Sequence, residues 1–106
     1  MFGKMGDMMG KLNEMKKQVE ETKARLASIT VEGSSAQGMV KVKANGNREI
    51  LDVEIHQELF HADREEVQDM LVLAVNTALT KAKNTEESEM KGAASGILPN
   101  IPGLGL

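Results

Sequence analysis

His56, His61 and Asp63 are the residues of this chain that most resemble a metal site, two imidazoles and a carboxylate within one short stretch. Zinc accepts both ligand types, but imidazoles five apart match none of the established zinc spacings, and an exposed loop accounts for the same residues. Five of the eight methionines fall between Met1 and Met15, and Met5, Met8 and Met9 are soft donors of the kind Cu(I) accepts. Their heptad spacing instead marks a packing face, where methionine fills irregular gaps. The chain has no cysteine, so it has no disulfide, thiolate nucleophile, zinc finger or iron–sulfur ligation. No Gly-rich phosphate loop follows a strand, no nucleophile has a matched base, and no carboxylate pair sits in a credible cleft. The sequence therefore assigns no catalytic residue, no metal and no cofactor, and reads as a protein that is not an enzyme. Two Phe and no Tyr or Trp exclude an aromatic cage and the usual base-stacking platform.

What remains is charge. The net charge is −3, from 13 Lys+Arg against 16 Asp+Glu, but it is segregated. Met1 to Arg25 carries Lys4, Lys11, Lys16, Lys17, Lys23 and Arg25 against Asp7, Glu14, Glu20 and Glu21, while Ala44 to Asp69 carries two basic and eight acidic residues. Segregation of this kind describes faces and partners, and the basic end suits a polyanion such as a phosphate backbone.

The elements that would position these charges follow from periodicity. Met5, Met8, Leu12, Met15, Val19, Thr22, Leu26 and Ile29 recur at alternating spacings of three and four, a heptad seam that predicts a long helix from about Gly6 to Ala27. Gly3, Gly6 and Gly10 predict that its first two turns fray or wait for a partner. Lys4, Lys11 and Arg25 fall at g and Lys16 and Lys23 at e, so bases flank the seam while the acids lie at b or c. Pairing this helix in parallel with its own copy would set like charges opposite one another. Two readings stay open: a solvated face with Asp7–Lys11 and Glu21–Arg25 pairs, or basic rims offered to an anion. Alternation predicts a short strand at Ile29 to Glu32, a turn-rich break from Gly33 to Gly38, and a second strand through Val40 and Val42. Asn45-Gly46 predicts a two-residue hairpin that sets Val40 opposite Leu51 and Lys41 opposite Ile50 on the third strand. Lys41, Lys43 and Arg48 then share a face with Asp52 and Glu54, a solvated sheet surface or a polyanion platform.

Asp63 and Glu66 form a capping-box pattern ahead of Val67, Met70, Leu71, Ala74, Val75, Ala78, Leu79 and Ala82, a second long helix. Val72 and Leu73 lie off that stripe, so a second subunit is expected to cover the helix, with Leu51, Val53, Met70, Leu73 and Asn76 at the interface. Asn76 reads equally as a buried register residue or a solvated one. The longest apolar run, Met70 to Val75, is far short of the roughly 20 residues that cross a bilayer, and charges interrupt any signal-peptide pattern at the start. The expected fold is α+β: one domain over 1–91, comprising a long helix, a three-stranded antiparallel sheet and a second long helix, in an intertwined homodimer. A flexible Gly/Pro-rich apolar tail is expected over 92–106.

Several segments carry a family resemblance over nearly the whole chain. They are Met1-Phe2-Gly3-Lys4, Gly38-Met39-Val40-Lys41-Val42, Ala44-Asn45-Gly46, the strand Ile50 to Ile55, Glu58-Leu59, and Ala74, Asn76 and Ala78. In their order and spacing the chain resembles the YbaB/EbfC family of bacterial nucleoid-associated proteins. It departs at His56-Gln57, where the family usually has Asp-Pro, and at Ser34 to Gln37, where relatives are richer in Gly. The resemblance implies a cytoplasmic, nucleoid-associated homodimer whose projecting helices contact duplex DNA and affect DNA organisation or gene expression. Charge placement, rather than the resemblance, nominates Lys4, Lys11, Lys16, Lys17, Lys23 and Arg25 for phosphate contact, with Lys81, Lys83 and Lys91 adding to them. The competing expectation is a dimeric coiled-coil adaptor that binds a protein partner through the apolar tail.

Overall fold

A computed structural model of the chain describes the backbone of residues 2–97 and the side chains of residues 6–92. The chain runs through α1 (Phe2–Ser28), β1 (Thr30–Ser35), a turn of 3-10 helix (Ala36–Gly38), β2 (Val40–Asn45), β3 (Ile50–Ile55), a second 3-10 segment (Gln57–His61) and α2 (Arg64–Ile97). The strands form one antiparallel sheet in the order β1-β2-β3. The expected α+β architecture is therefore present. Asp63 caps α2 as its spacing with Glu66 predicts, its Oδ2 accepting the Glu66 N–H at 3.3 Å.

The core lies between the sheet and α2. Val40, Val42 and Ala44 on β2 meet the small stripe Ala74, Ala78 and Ala82, all fully buried, with Leu59 closing one end. Burying a Val or Leu fully contributes roughly 1.5–3 kcal/mol, so small residues here mean that stability comes from close approach rather than side-chain bulk. Gly33 of β1 is the point of closest approach, because a Cβ there would collide with the Ala74 carbonyl and the Ala78 backbone. α2 lies over β1 and β2, and the α2-facing positions of β3, Ile50 and Val53, stay exposed.

Three local expectations are corrected. β1 does not end at Glu32 but continues through Gly33, Ser34 and Ser35. Gly33 reads as a breaker in sequence, yet in the fold it lets α2 sit on the strand, and the Ser35 hydroxyl then donates to the Met70 carbonyl. The β2–β3 register also differs: Val40 pairs with Ile55, Val42 with Val53 and Ala44 with Ile50, with a bulge at that last step. Its cause is the Asn45 side chain, whose Oδ1 accepts the Asn47 and Glu49 N–H groups. That contact stabilises a three-residue loop, Gly46 to Arg48, with Arg48 in the left-handed region at φ 62°. Helix ends differ too. α1 is continuous from Phe2 through its glycines, and α2 runs to Ile97, beyond Gly92 where the tail was expected to begin. The rest of the expected tail, 98–106, lies outside the described residues.

The two helices are antiparallel. Ser35 bonds to Met70, Glu32 to Lys81 and Arg25 to Glu89, so numbering falls along the first half of the chain as it rises along α2. At 1.5 Å per residue, α2 from Arg64 to Glu89 spans about 37 Å and α1 from Arg25 back to Phe2 about 35 Å. Laid end to end, these stretches account for the molecule's 72 Å length against widths of 26 and 18 Å. α1 is thus an arm carried well beyond the sheet.

Candidate nucleic-acid interface

Among the described residues, the arm's buried anchor lies at its C-terminal end. Thr22 and Leu26 are fully buried there, and the β2–β3 loop satisfies the last helical carbonyls. The Gly46 N–H donates to the Leu26 carbonyl at 2.9 Å and to that of Ile29 at 3.1 Å, and Asn47 Nδ2 donates to the Lys23 carbonyl at 3.0 Å. Gly46 has to be glycine because a Cβ would stand 2.7 Å from a Leu26 methyl and 2.9 Å from its carbonyl oxygen. Sequence reading identified Asn45-Gly46 as a hairpin signal and missed this second duty as the socket of α1. Asn47 was missed altogether, since nothing local in the sequence links it to Lys23.

Along the arm, Lys11, Lys16, Lys17 and Lys23 are all exposed. Lys16 and Lys23 border a shallow groove floored by Leu12, Met15 and Val19, and Glu20, which the heptad positions set behind the seam, lines it with them, so the rim is mainly but not wholly basic. Lys11 to Lys23 covers about 18 Å of helix. The side chain of Lys4 lies outside the described side chains. Arg25, by contrast, is held at the arm's root, with its Nε 3.5 Å from Glu89 and its guanidinium donating to the Thr22 hydroxyl at 3.3 Å. An exposed pair of this kind is worth about 0–1 kcal/mol, so it marks where α1 meets α2 while the buried Thr22 and Leu26 hold the two together.

Lys81 and Lys83 belong to a different region. Lys81 Nζ donates to the Glu32 carbonyl at 2.8 Å, and Lys83 borders a shallow surface groove with Arg48, Asn76, Leu79 and Thr80. Arg48 is itself paired with Glu86 at 2.6 Å. Along the long axis this region stands roughly 30 Å from Lys11, so the structure does not bring these lysines together with the arm. Lys91, also exposed, lies near the root.

The outer face of the sheet sets opposite charges side by side. Lys43 stands between Glu32 and Asp52, and Lys41 between Ser34 and Glu54. Cross-strand pairs of opposite sign are mutually satisfying, which favours the solvated surface over the polyanion platform. His56 and Asp63 are both engaged as caps, His56 Nδ1 accepting the Glu58 N–H at 3.1 Å. Among the described residues no three His, Asp or Glu side chains are placed to share a metal ion. Nor, among them, is any helix long and apolar enough to cross a membrane.

Of the residues nominated for a subunit interface, Leu51 is 53% and Leu73 59% exposed, and Val53 and Asn76 are exposed as well. Met70 differs: it is half-buried and packs against its own core, because its turn of α2 carries the carbonyl that Ser35 holds.

Comparison with known proteins accords with this architecture. The YbaB/EbfC DNA-binding family matches residues 1–97. A nucleoid-associated protein of Pelotomaculum thermopropionicum is 42% identical over 105 residues, covering 98% of both chains. One from Flavobacterium johnsoniae is 35% identical over 97 residues, covering 92% of this chain and 91% of its own. The crystal structure of an uncharacterized protein from Helicobacter pylori superposes with a TM-score of 0.74 at 25% identity, covering 87% of this chain and 95% of that one. With relatives matched along almost its entire length and the same helix–sheet–helix fold, the chain belongs to the YbaB/EbfC DNA-binding family.

Proposed function

We propose that the chain acts as a homodimer that binds duplex DNA through the lysines of its projecting arms, organising the nucleoid or influencing gene expression in the bacterial cytoplasm. The observation that carries this reading is the arm itself. α1 is fixed at one end by Thr22, Leu26 and the Gly46–Asn47 socket and holds Lys11, Lys16, Lys17 and Lys23 out in solvent. A dimer doubles that basic surface, and because it doubles the overall acidity as well, the expected affinity is modest. The uncovered side of β3 with Leu51 and Val53, together with Leu73 and Asn76 on α2, supplies the pairing surface. Contacts of lysine with phosphate set position and carry little base information, so binding is weakly sequence-selective.

The test is fluorescence anisotropy of a labelled random-sequence duplex at about 50 and 200 mM salt, where several phosphate contacts change affinity by orders of magnitude. Replacing Lys11, Lys16 and Lys23 together with Gln is expected to weaken binding and flatten the salt dependence. Unchanged affinity and slope in that variant would remove the arm as the DNA surface. No binding at low salt would mean that the protein reads one particular sequence or is an adaptor, and deleting the tail then separates the two.

A further inference from the structure

α2 carries two strips, and its own sheet covers only one of them. Ala74, Ala78 and Ala82 are fully buried, while Asn76 lies about 160° round the helix from Ala78, at 100° per residue. On that outer side Val72 is 58% and Leu73 59% exposed, Asn76 and Thr80 are exposed, and Leu79 is half-buried. Shallow grooves flank the row from Asn76 to Thr80, one walled by Leu79, Lys83 and Arg48, the other by Thr77 and Lys81. A ridge between two grooves is the relief into which a facing helix interlocks.

The outer strip is also complementary in charge to itself. Asp69 stands seven residues before Asn76 and Lys83 seven after it, and both are exposed. With a two-fold axis through Asn76, antiparallel pairing sets Asp69 of each chain opposite Lys83 of the other, Leu73 opposite Leu79 and Val72 opposite Thr80. A parallel pair would instead set each charge against its own kind. Register is constrained as well. Moving the axis one turn, to Thr80 or to Val72, sets Leu73 opposite Glu87 or Leu79 opposite Glu65, an apolar side chain against an acid in both cases. On the axis Asn76 meets its own copy, and a carboxamide both donates and accepts, so the two side chains satisfy one another. A polar asparagine within an apolar contact is a known means of fixing register.

We infer that two copies associate by packing α2 antiparallel on α2, with Asn76 on the two-fold axis and Asp69 paired with Lys83 of the partner subunit at each end. The inference rests on the dimer of the proposed function, narrows its contact to α2 and is independent of DNA. The end pairs fix direction and register more than affinity.

The chain has no cysteine, so single cysteines treated with diamide report which positions meet. Asn76→Cys is expected to cross-link to its own copy, because residues at a helix crossing approach within the roughly 4.4–6.8 Å that a disulfide spans. Asp69→Cys, about 21 Å from its own copy in this arrangement, is expected to stay uncross-linked. In sedimentation equilibrium, Lys83→Asp is expected to weaken dimerisation about tenfold by reversing two pairs at once, and adding Asp69→Lys is expected to restore it. Cross-linking of Asp69→Cys to itself would mean a parallel pair. A dimer in which Asn76→Cys stays uncross-linked and Asp69→Lys fails to rescue Lys83→Asp would place the contact elsewhere. Either result overturns the inference and leaves the dimer standing, whereas a single-chain mass for the unsubstituted protein would overturn both.

Discussion

Gly33 and Gly46 both stand where another backbone comes too close for a Cβ, α2 in the first case and the end of α1 in the second. Gly6 and Gly10 of the arm have nothing within 4 Å of such a Cβ, so the same substitution has opposite signs at the two kinds of site. Gly33→Ala forces α2 off the sheet and is expected to lower stability by about 1–3 kcal/mol. Gly10→Ala removes a flexible residue from an exposed helix and is expected to raise helix stability by about 0.5–1 kcal/mol. Urea unfolding midpoints check the first and helical circular dichroism on heating the second; a destabilising Gly10→Ala would mean that the arm packs on something. Thr22, polar in an otherwise apolar seam, is explained at this scale too, since its hydroxyl donates to the Gln18 carbonyl at 2.8 Å and accepts from Arg25.

Each long element was legible in the sequence from its period: the heptad from Met5 to Ile29 gave α1, the stripe from Val67 to Ala82 gave α2, and alternation at Val40–Val42 and Leu51–Ile55 gave two strands. Where the reading slipped, a contact distant in sequence decided the outcome. Gly33 looks like a turn until α2 is laid on it, and the hairpin register depends on an Asn45 side chain that accepts two backbone N–H groups. The basic rim was legible because it rides on the heptad; the socket was not, because Asn47 and Lys23 are 24 residues apart. That socket carries its own prediction. Asn47→Ala removes the bond to the Lys23 carbonyl, which at about 0.5–1.5 kcal/mol is expected to speed amide hydrogen exchange in the last turns of α1 and leave β2 protected. Equal acceleration in both elements would mean that the loop supports the whole core rather than the arm.

At the scale of the molecule, a 106-residue chain leaves Leu51, Val53, Phe60, Val72 and Leu73 exposed, more apolar surface than a small monomer comfortably carries. The thermal midpoint of the chain is therefore expected to rise with protein concentration. Leu73→Glu should abolish that dependence, give the mass of one chain in sedimentation equilibrium, and weaken DNA binding in parallel. A concentration-independent midpoint with single-chain mass in the unsubstituted protein would remove the dimer. The buried anchor of α1 at its root has a further, mechanical consequence. A rod about 35 Å long held at its root has the geometry of a lever, in which a tilt of only about 5° there would carry its tip through roughly 3 Å. Small repacking around Leu26 and Gly46 would thus be magnified at Lys11, shifting the outer turns of α1 without any change in the sheet.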